Sequence, residues 1–465
     1  MAAGFRIRDL NVFDKNNELN SLKTETGTLT LAGLFVPIFA EQLLKNLMNT
    51  VTVWLMGHIS DDAVAAIGVS TQVLTTVTML YTMVCTGVTV VINQNLGAER
   101  RETASRTATA SMHLLFVMSI VFGGLMALVA DPVMRLMHLE ARLAPDAALF
   151  LRITAGFSVF QAIMTCAMAV SRAYGNTFYP VLVSLIMNVL NAAGSYIVIL
   201  RPFETPLSGI SGIAIVRILS ELASCVLMLI LLRKVHPELR LLNFRALSLP
   251  IVKDILRIGI PNGMQTLSYS LSQTVTTGVL ASLGAAAVAS KIYVHNIVYY
   301  TYLTGNAMGQ ANALLVGRLT GMGEHERVYR MTMRHFVLNF ILNVGFASVV
   351  ALARFPLIRL FTQDATIIAM AAGVIVIDIA VEAGRAFNHT FQGALTATGD
   401  AAFPMVVMLC TTWGISVLFS YILGVKLGMG LAGCWIAFAM DELVRGLIQM
   451  ARWKSRVWYT KSLVK

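Results

Sequence analysis

Charged side chains are scarce in this sequence. Asp, Glu, Lys and Arg make up only 13% of its 465 residues, against roughly 25% in an ordinary soluble domain. With 57% hydrophobic residues and a mean hydropathy of +0.72, there is too little charge to cover a water-facing surface, so much of the surface must face lipid. Cysteine is also sparse. Cys85, Cys166, Cys225, Cys410 and Cys434 all lie in apolar segments and form no CxxC pair, which excludes a disulfide framework and a zinc site. Enzyme signatures are missing. His325-Glu326 is followed by Arg327, Val328 and Tyr329 and so is no HExxH. There is no Walker A loop, so drive by ATP is not expected, and GMGEHE at 321–326 lacks dinucleotide-binding spacing. No block of like charge explains the net charge of +11. Its residues fall in short clusters between apolar runs, as in the loops of a membrane protein, and nucleic acid is not an expected partner. Arg6, Arg8, Lys15 and Lys23 are interspersed with Asp9, Asp14, Glu18 and Glu25, and no short apolar core with a cleavage site follows, so residues 1–27 read as a partly helical, cytoplasmic leader.

What is present is a series of apolar runs. About 20 residues of helix cross the hydrocarbon core. Twelve spans are expected, at 28–56, 64–95, 108–130, 148–170, 180–200, 210–233, 255–281, 286–316, 333–353, 367–392, 403–423 and 430–451. The fold class is an all-α membrane protein with a 28–233 N-lobe, a basic linker at 234–254, a 255–451 C-lobe and a basic tail at 452–465. With the N-terminus inside, inner loops, tails and adjoining span ends hold 23 of the 35 Lys and Arg residues and outer loops hold 6, which places both termini in the cytoplasm of a cell with this chain in its inner (plasma) membrane.

The two halves repeat at an offset of 224. Pro37 matches Pro261, Gly97 matches Gly321, Pro132, Arg135 and Leu136 match Pro356, Arg359 and Leu360, and Gly175 to Pro180 matches Gly399 to Pro404. After a three-residue slip, Gly209, Gly212 and Glu221 match Gly430, Gly433 and Glu442. Two six-span halves that both start inside are parallel repeats, related by an axis along the membrane normal, with a site expected between them and alternating access by rocking. A duplicated receptor or scaffold without transport is the competing reading from another class.

Several stretches resemble the multidrug and toxic compound extrusion (MATE) family: SRAYGNTFYP from Ser171, GALTATGDAAFP from Gly393, NTVTVWLMGHISDDAVAAIGVSTQ from Asn49 and LLVGRLTGMG from Leu314. VEAGRAFN from Val381 and GLAGCWIAFAMDE from Gly430 are similar to one bacterial subgroup. The resemblance covers nearly all of the chain after residue 28. It implies a V-shaped, two-lobed antiporter that exports amphipathic, often cationic compounds in exchange for Na⁺ or H⁺, with no other cofactor, acting as a monomer. A lipid-linked oligosaccharide flippase of the same superfamily is the alternative, and would show a strongly cationic cavity. The chain departs from the family at Thr52, which stands where many members carry a first-span aspartate.

A charge at the bilayer centre costs at least about 2.5–3.5 kcal/mol, so charges retained there usually face a bundle interior or a wet cavity. In the tenth span Asp378, Glu382, Arg385, His389 and Gln392 follow at steps of 4, 3, 4 and 3 and form one polar stripe with Asn388 at its edge; Glu382 and Arg385 can pair at i,i+3. The first span carries Glu41 and Lys45. Glu221 and Glu442 are matched between halves, each with an arginine in helical reach, Arg217 and Arg445, and these read as structural pairs. The stripe is not matched: Thr154, Ser158, Gln161 and Thr165 stand opposite it, and Gln265 and Tyr269 stand opposite Glu41 and Lys45. Charges that were not duplicated with the backbone are the expected working groups. Glu382, Asp378, Arg385 and Glu41 are expected to couple the ion, and Asn388, His389, Gln392, Lys45, Thr52, Gln265 and Lys291 to line the substrate cavity. The 25 methionines suit either an adaptable cavity or plain lipid-facing filler.

Overall fold

The structure is a computed structural model of the chain and describes residues 21–24, 27–57, 61–137, 142–200, 209–237, 239 and 248–464. It opens with an antiparallel pair, β1 (Ser21–Thr24) and β2 (Gly27–Thr30), Ser21 opposite Thr30 and Thr24 opposite Gly27. The described residues of the leader belong to this strand pair, and the first span begins at Leu31 rather than at the expected 28. The cause is local: Thr30 caps the helix, its Oγ1 accepting the Gly33 N–H at 3.0 Å. The rest of the leader lies outside the described residues.

The first half continues with α1 (Leu31–Gly57), α2 (Asp61–Gly97), α3 (Arg101–Leu128), the short α4 (Ala130–Leu136), α5 (Ala144–Gly156), α6 (Val159–Ala173), α7 (Phe178–Leu200) and α8 (Gly209–Val235). The second half repeats the order with α9 (Leu249–Ala281), α10 (Ala285–Gly321), α11 (His325–Leu352), the short α12 (Arg354–Arg359) and α13 (Ala365–Thr398). Next comes one span in which α14 (Ala402–Thr411) and α15 (Leu418–Tyr421) alternate with wider π-helical stretches at Thr412–Val417 and Ile422–Lys426; α16 (Gly430–Lys454) and a 3₁₀ turn (Val457–Thr460) close the chain.

Among the described residues seven of these helices are long and apolar enough to span a membrane, and α5 with α6, bent by 48°, forms an eighth. The long helices α1, α9, α10 and α16 complete twelve, their apolar character diluted by polar residues. The repeat is visible in the backbone. Gly175 and Gly399 turn the chain at φ 93° and 102°, conformations that suit a residue without a Cβ. One difference stands out: α13 runs unbroken where the first half breaks between α5 and α6, at Ser158, the residue aligned with Glu382.

The chain forms two compact units, residues 40–96 with 100–263, and residues 1–39 with 97–99 and 264–465. The boundaries fall inside α1 and α9, two residues past Pro37 and Pro261, where a proline removes one helix hydrogen bond and its ring crowds the carbonyl a turn earlier. The unit built mainly from the first half has a core of α2, α4, α5 and α8 side chains around Phe150, Leu151 and Met134. The other has a core over Phe391, Trp453 and Trp458, on which the start of α1 packs through Leu31, Leu34 and Ile38, and a second around Val374, Ile375 and Trp435.

Candidate functional site

The unit built on the second half holds the densest group of buried charges, and α13 organises it. Asp364 caps this helix, its carboxylate accepting the N–H groups of Thr366 and Ile367 at 2.7 and 3.1 Å, and Gly399 ends it. Along its 34 residues the 4, 3, 4 spacing keeps Asp378, Glu382, Arg385 and His389 on one side. Helix α16 crosses that side closely. A Cβ on Gly384 would lie 2.6 Å from the Glu442 Cβ and 2.7 Å from its carbonyl carbon, so glycine sets the depth of the crossing.

The crossing links the charges of both helices. Arg385 donates to Glu382 at 2.5 Å and lies 3.9 Å from Glu442. Arg445 donates to Glu442 at 2.6 Å and reaches Asp441 at 3.9 Å. Asn388 donates to the backbone carbonyl and the carboxylate of Glu442 at 2.8 and 2.6 Å. Arg385 shares the cavity wall with Tyr269 and lies over the Tyr302 ring, 5.4 Å from its centre. Asp378 accepts the Trp435 indole N–H at 3.0 Å. Buried charges of this kind persist only when paired and hydrogen-bonded.

One side of this network faces an open cavity of about 220 Å³. Its acidic wall is Asp378, Asp441 and Glu442; its aromatic wall includes Tyr269, Tyr299, Tyr302 and Phe438; Lys291 and His295 lie along α10, and Thr412 and Ser416 come from the first π-helical stretch. Such stretches displace side chains from regular helical positions and recur at functional sites.

Of the residues singled out in the sequence, Asp378, Arg385 and Lys291 line the cavity, and Glu382 adjoins it through Arg385. Asn388, His389, Gln392 and Gln265 are not part of its wall. Asn388 turns to Glu442, His389 meets the Tyr302 ring edge-on at 5.2 Å, Gln392 is half-buried, and Gln265 is buried with neither amide atom hydrogen-bonded among the described residues. Glu41 lies in the other unit, where it accepts two bonds from Arg172 at 2.9 and 3.1 Å, while Lys45 is exposed. The side chain of Thr52 lies outside the described residues. The repeat-matched pairs now differ. Arg217 meets Glu221 along α8 at 3.1 Å, whereas Glu442 and Arg445 belong to the cavity network. Sequence reading missed the aromatic wall, although Lys291, His295, Tyr299 and Tyr302 follow at steps of 4, 4 and 3 and so mark one face of α10.

A wall of this kind, inside a bundle of membrane-spanning helices, is chemically suited to hold a solute. The MatE family profile matches residues 37–197 and 261–422, one match in each half. The chain belongs to the MatE family. It is 34% identical over 439 residues to the uncharacterized transporter YisQ of Bacillus subtilis, covering 94% of this chain and 96% of that protein. It is 26% identical over 445 residues to a probable multidrug resistance protein NorM of Thermotoga maritima, covering 94% and 95%. Among solved structures it matches a MOP superfamily transporter from Pyrococcus furiosus with a TM-score of 0.84 at 19% identity, covering 92% of this chain and 95% of that one. At that identity the likeness is one of fold.

Proposed function

We propose that this transporter is a cation-coupled antiporter that exports amphipathic, cationic organic compounds by alternating access, and that the cavity of the second half holds both its coupling and its substrate site. The observation that carries this reading is the relay Glu382–Arg385–Glu442–Arg445 set beside an aromatic cavity wall. A guanidinium shared between two carboxylates can change partner. A proton or Na⁺ arriving at Glu382 competes with Arg385 for the same oxygens, and Arg385 then shifts towards Glu442. Arg385 covers the face of Tyr302 that an organic cation would use. Ion, arginine and substrate thus compete for one place, which is the requirement for exchange. The name of the T. maritima relative supports drug export, and the lone Asp378, held by an indole rather than a cation, supports a cationic substrate.

The flippase alternative requires a strongly cationic cavity, and three carboxylates in the wall disfavour it. The inner-loop excess of Lys and Arg supports a plasma-membrane protein with both termini cytoplasmic. A monomer suffices, since every part of the site comes from one chain, and the drive is an ion gradient rather than ATP. Glu382→Gln keeps the shape of the side chain and removes its charge. In reconstituted vesicles it is expected to abolish gradient-driven export while leaving the protein folded; full export by this variant would refute the assignment.

A further inference from the structure

The cavity wall holds two charges that form no ion pair within 4 Å among the described residues. Glu382, Glu442 and Asp441 all have arginine partners. Asp378 has only the neutral Trp435 indole within bonding distance. Lys291, on α10, has only a hydroxyl: its Nζ donates to Thr277 Oγ1 on α9 at 2.7 Å, and it takes part in no ion pair among the described residues. Neither charge belongs to the duplicated framework. Their counterparts in the first half are Thr154 and the buried Ile67. The ordinary explanation of a membrane lysine is a long stem that carries its amine out to the headgroup region. Here the amine is instead held across the cavity wall by a neighbouring helix.

An ammonium has three donors, and one is used. The remaining two, with the Gln273 amide and His295 lining the same cavity, suit a carboxylate. Asp378 and the faces of Tyr299 and Tyr302 suit a cation. Asp378 is buried, where a charge without a close partner is costly, and Lys291 is partly buried, so a ligand that supplies both missing partners gains over one that supplies one. On the reading that this cavity is the substrate site, we propose that Lys291 is an anion-anchoring residue and that the preferred substrates are amphipathic zwitterions, with the carboxylate on Lys291 and the cationic end on Asp378 and Tyr302.

Rhodamine B, which carries a free carboxylate, and its ethyl ester, which does not, share one cationic chromophore. Both are offered to the full-length protein in proteoliposomes, with binding and gradient-driven transport measured. The unsubstituted protein is expected to carry both and to bind the acid more tightly. Lys291→Met is expected to weaken the acid at least about tenfold and to leave the ester within about twofold, while Lys291→Arg keeps the preference for the acid. Equal affinity for the two probes in the unsubstituted protein, or an equal effect of Lys291→Met on both, overturns the anion anchor and leaves the substrate site standing. Failure of the unsubstituted protein to carry either probe overturns the anchor together with the site reading. The comparison of acid with ester in the unsubstituted protein needs no variant to fold.

Discussion

Glu442 shows how much of a membrane residue's role depends on what other helices bring to it. Its sequence match, Glu221, has one arginine on its own helix. Glu442 also has an arginine on its own helix, Arg445, but one turn after it rather than one turn before, and it has Arg385 and Asn388 from α13. Arg445 is buried with a side chain only 4% exposed, so removing it leaves Asp441 with no ion-pair partner among the described residues and Glu442 with only Arg385 at 3.9 Å and the Asn388 amide. Arg445→Met is expected to cost about 3–5 kcal/mol, read as a lower unfolding temperature in detergent, and adding Glu442→Gln should recover part of the loss. An unchanged unfolding temperature would mean that the pair contributes no net stability. The Glu382–Arg385 contact was legible in the sequence because i,i+3 spacing on a helix puts the two side chains together. Asn388 with Glu442, and Trp435 with Asp378, were not legible. They are 54 and 57 residues apart, and only the crossing of α13 with α16 brings them together.

That crossing is the element on which the site depends. Gly384 and Gly446 face each other's helices, and a Cβ on Gly446 would lie 2.5 Å from the Phe387 Cβ. Gly384→Ala is expected to destabilise by about 1–3 kcal/mol through overpacking, while Gly373→Ala, on the same helix with nothing within 4 Å, should be neutral or slightly stabilising. Equal unfolding temperatures for the two variants would contradict a close-packed crossing. In the first half the position aligned with Glu382 is Ser158, at the break between α5 and α6, and its hydroxyl meets that of Tyr81 at 3.0 Å.

The end of the chain is a second ordered element, which the sequence showed only as a basic tail. Trp458 stacks on Trp453 with ring centres 4.1 Å apart, and Arg456 and Tyr459 both reach Glu326 at the start of α11. Burial and the Glu326 carboxylate push the Tyr459 phenol up to about 12, so it stays a hydrogen-bond donor across the physiological range. Trp458→Ala is expected to cost about 3–5 kcal/mol and to expose this face to proteolysis; protease resistance equal to that of the unsubstituted protein would contradict it.

At the scale of the molecule, twelve spans and their duplication were legible because lipid demands long apolar runs and because glycines and prolines in a repeated backbone stay at matched positions. The unit boundaries inside α1 and α9 were marked in the sequence only by Pro37 and Pro261, which lie two residues before them and can bend a helix without showing that its packing changes bodies there. The strand pair before α1 was hidden for a similar reason: four residues a side give too little pattern to separate strand from helix. The asymmetry of the halves matters more for function. One scaffold was made twice, but the relay and its cavity lie in one unit, so exchange should depend on the second half and on an imposed cation gradient. The direct measurement is the flux of a fluorescent organic cation in proteoliposomes holding the purified protein, with Na⁺ and H⁺ gradients imposed separately and then reversed. The expected result is flux opposite in direction to one of these gradients, reversing when that gradient reverses. Flux that is indifferent to both would contradict cation-coupled exchange.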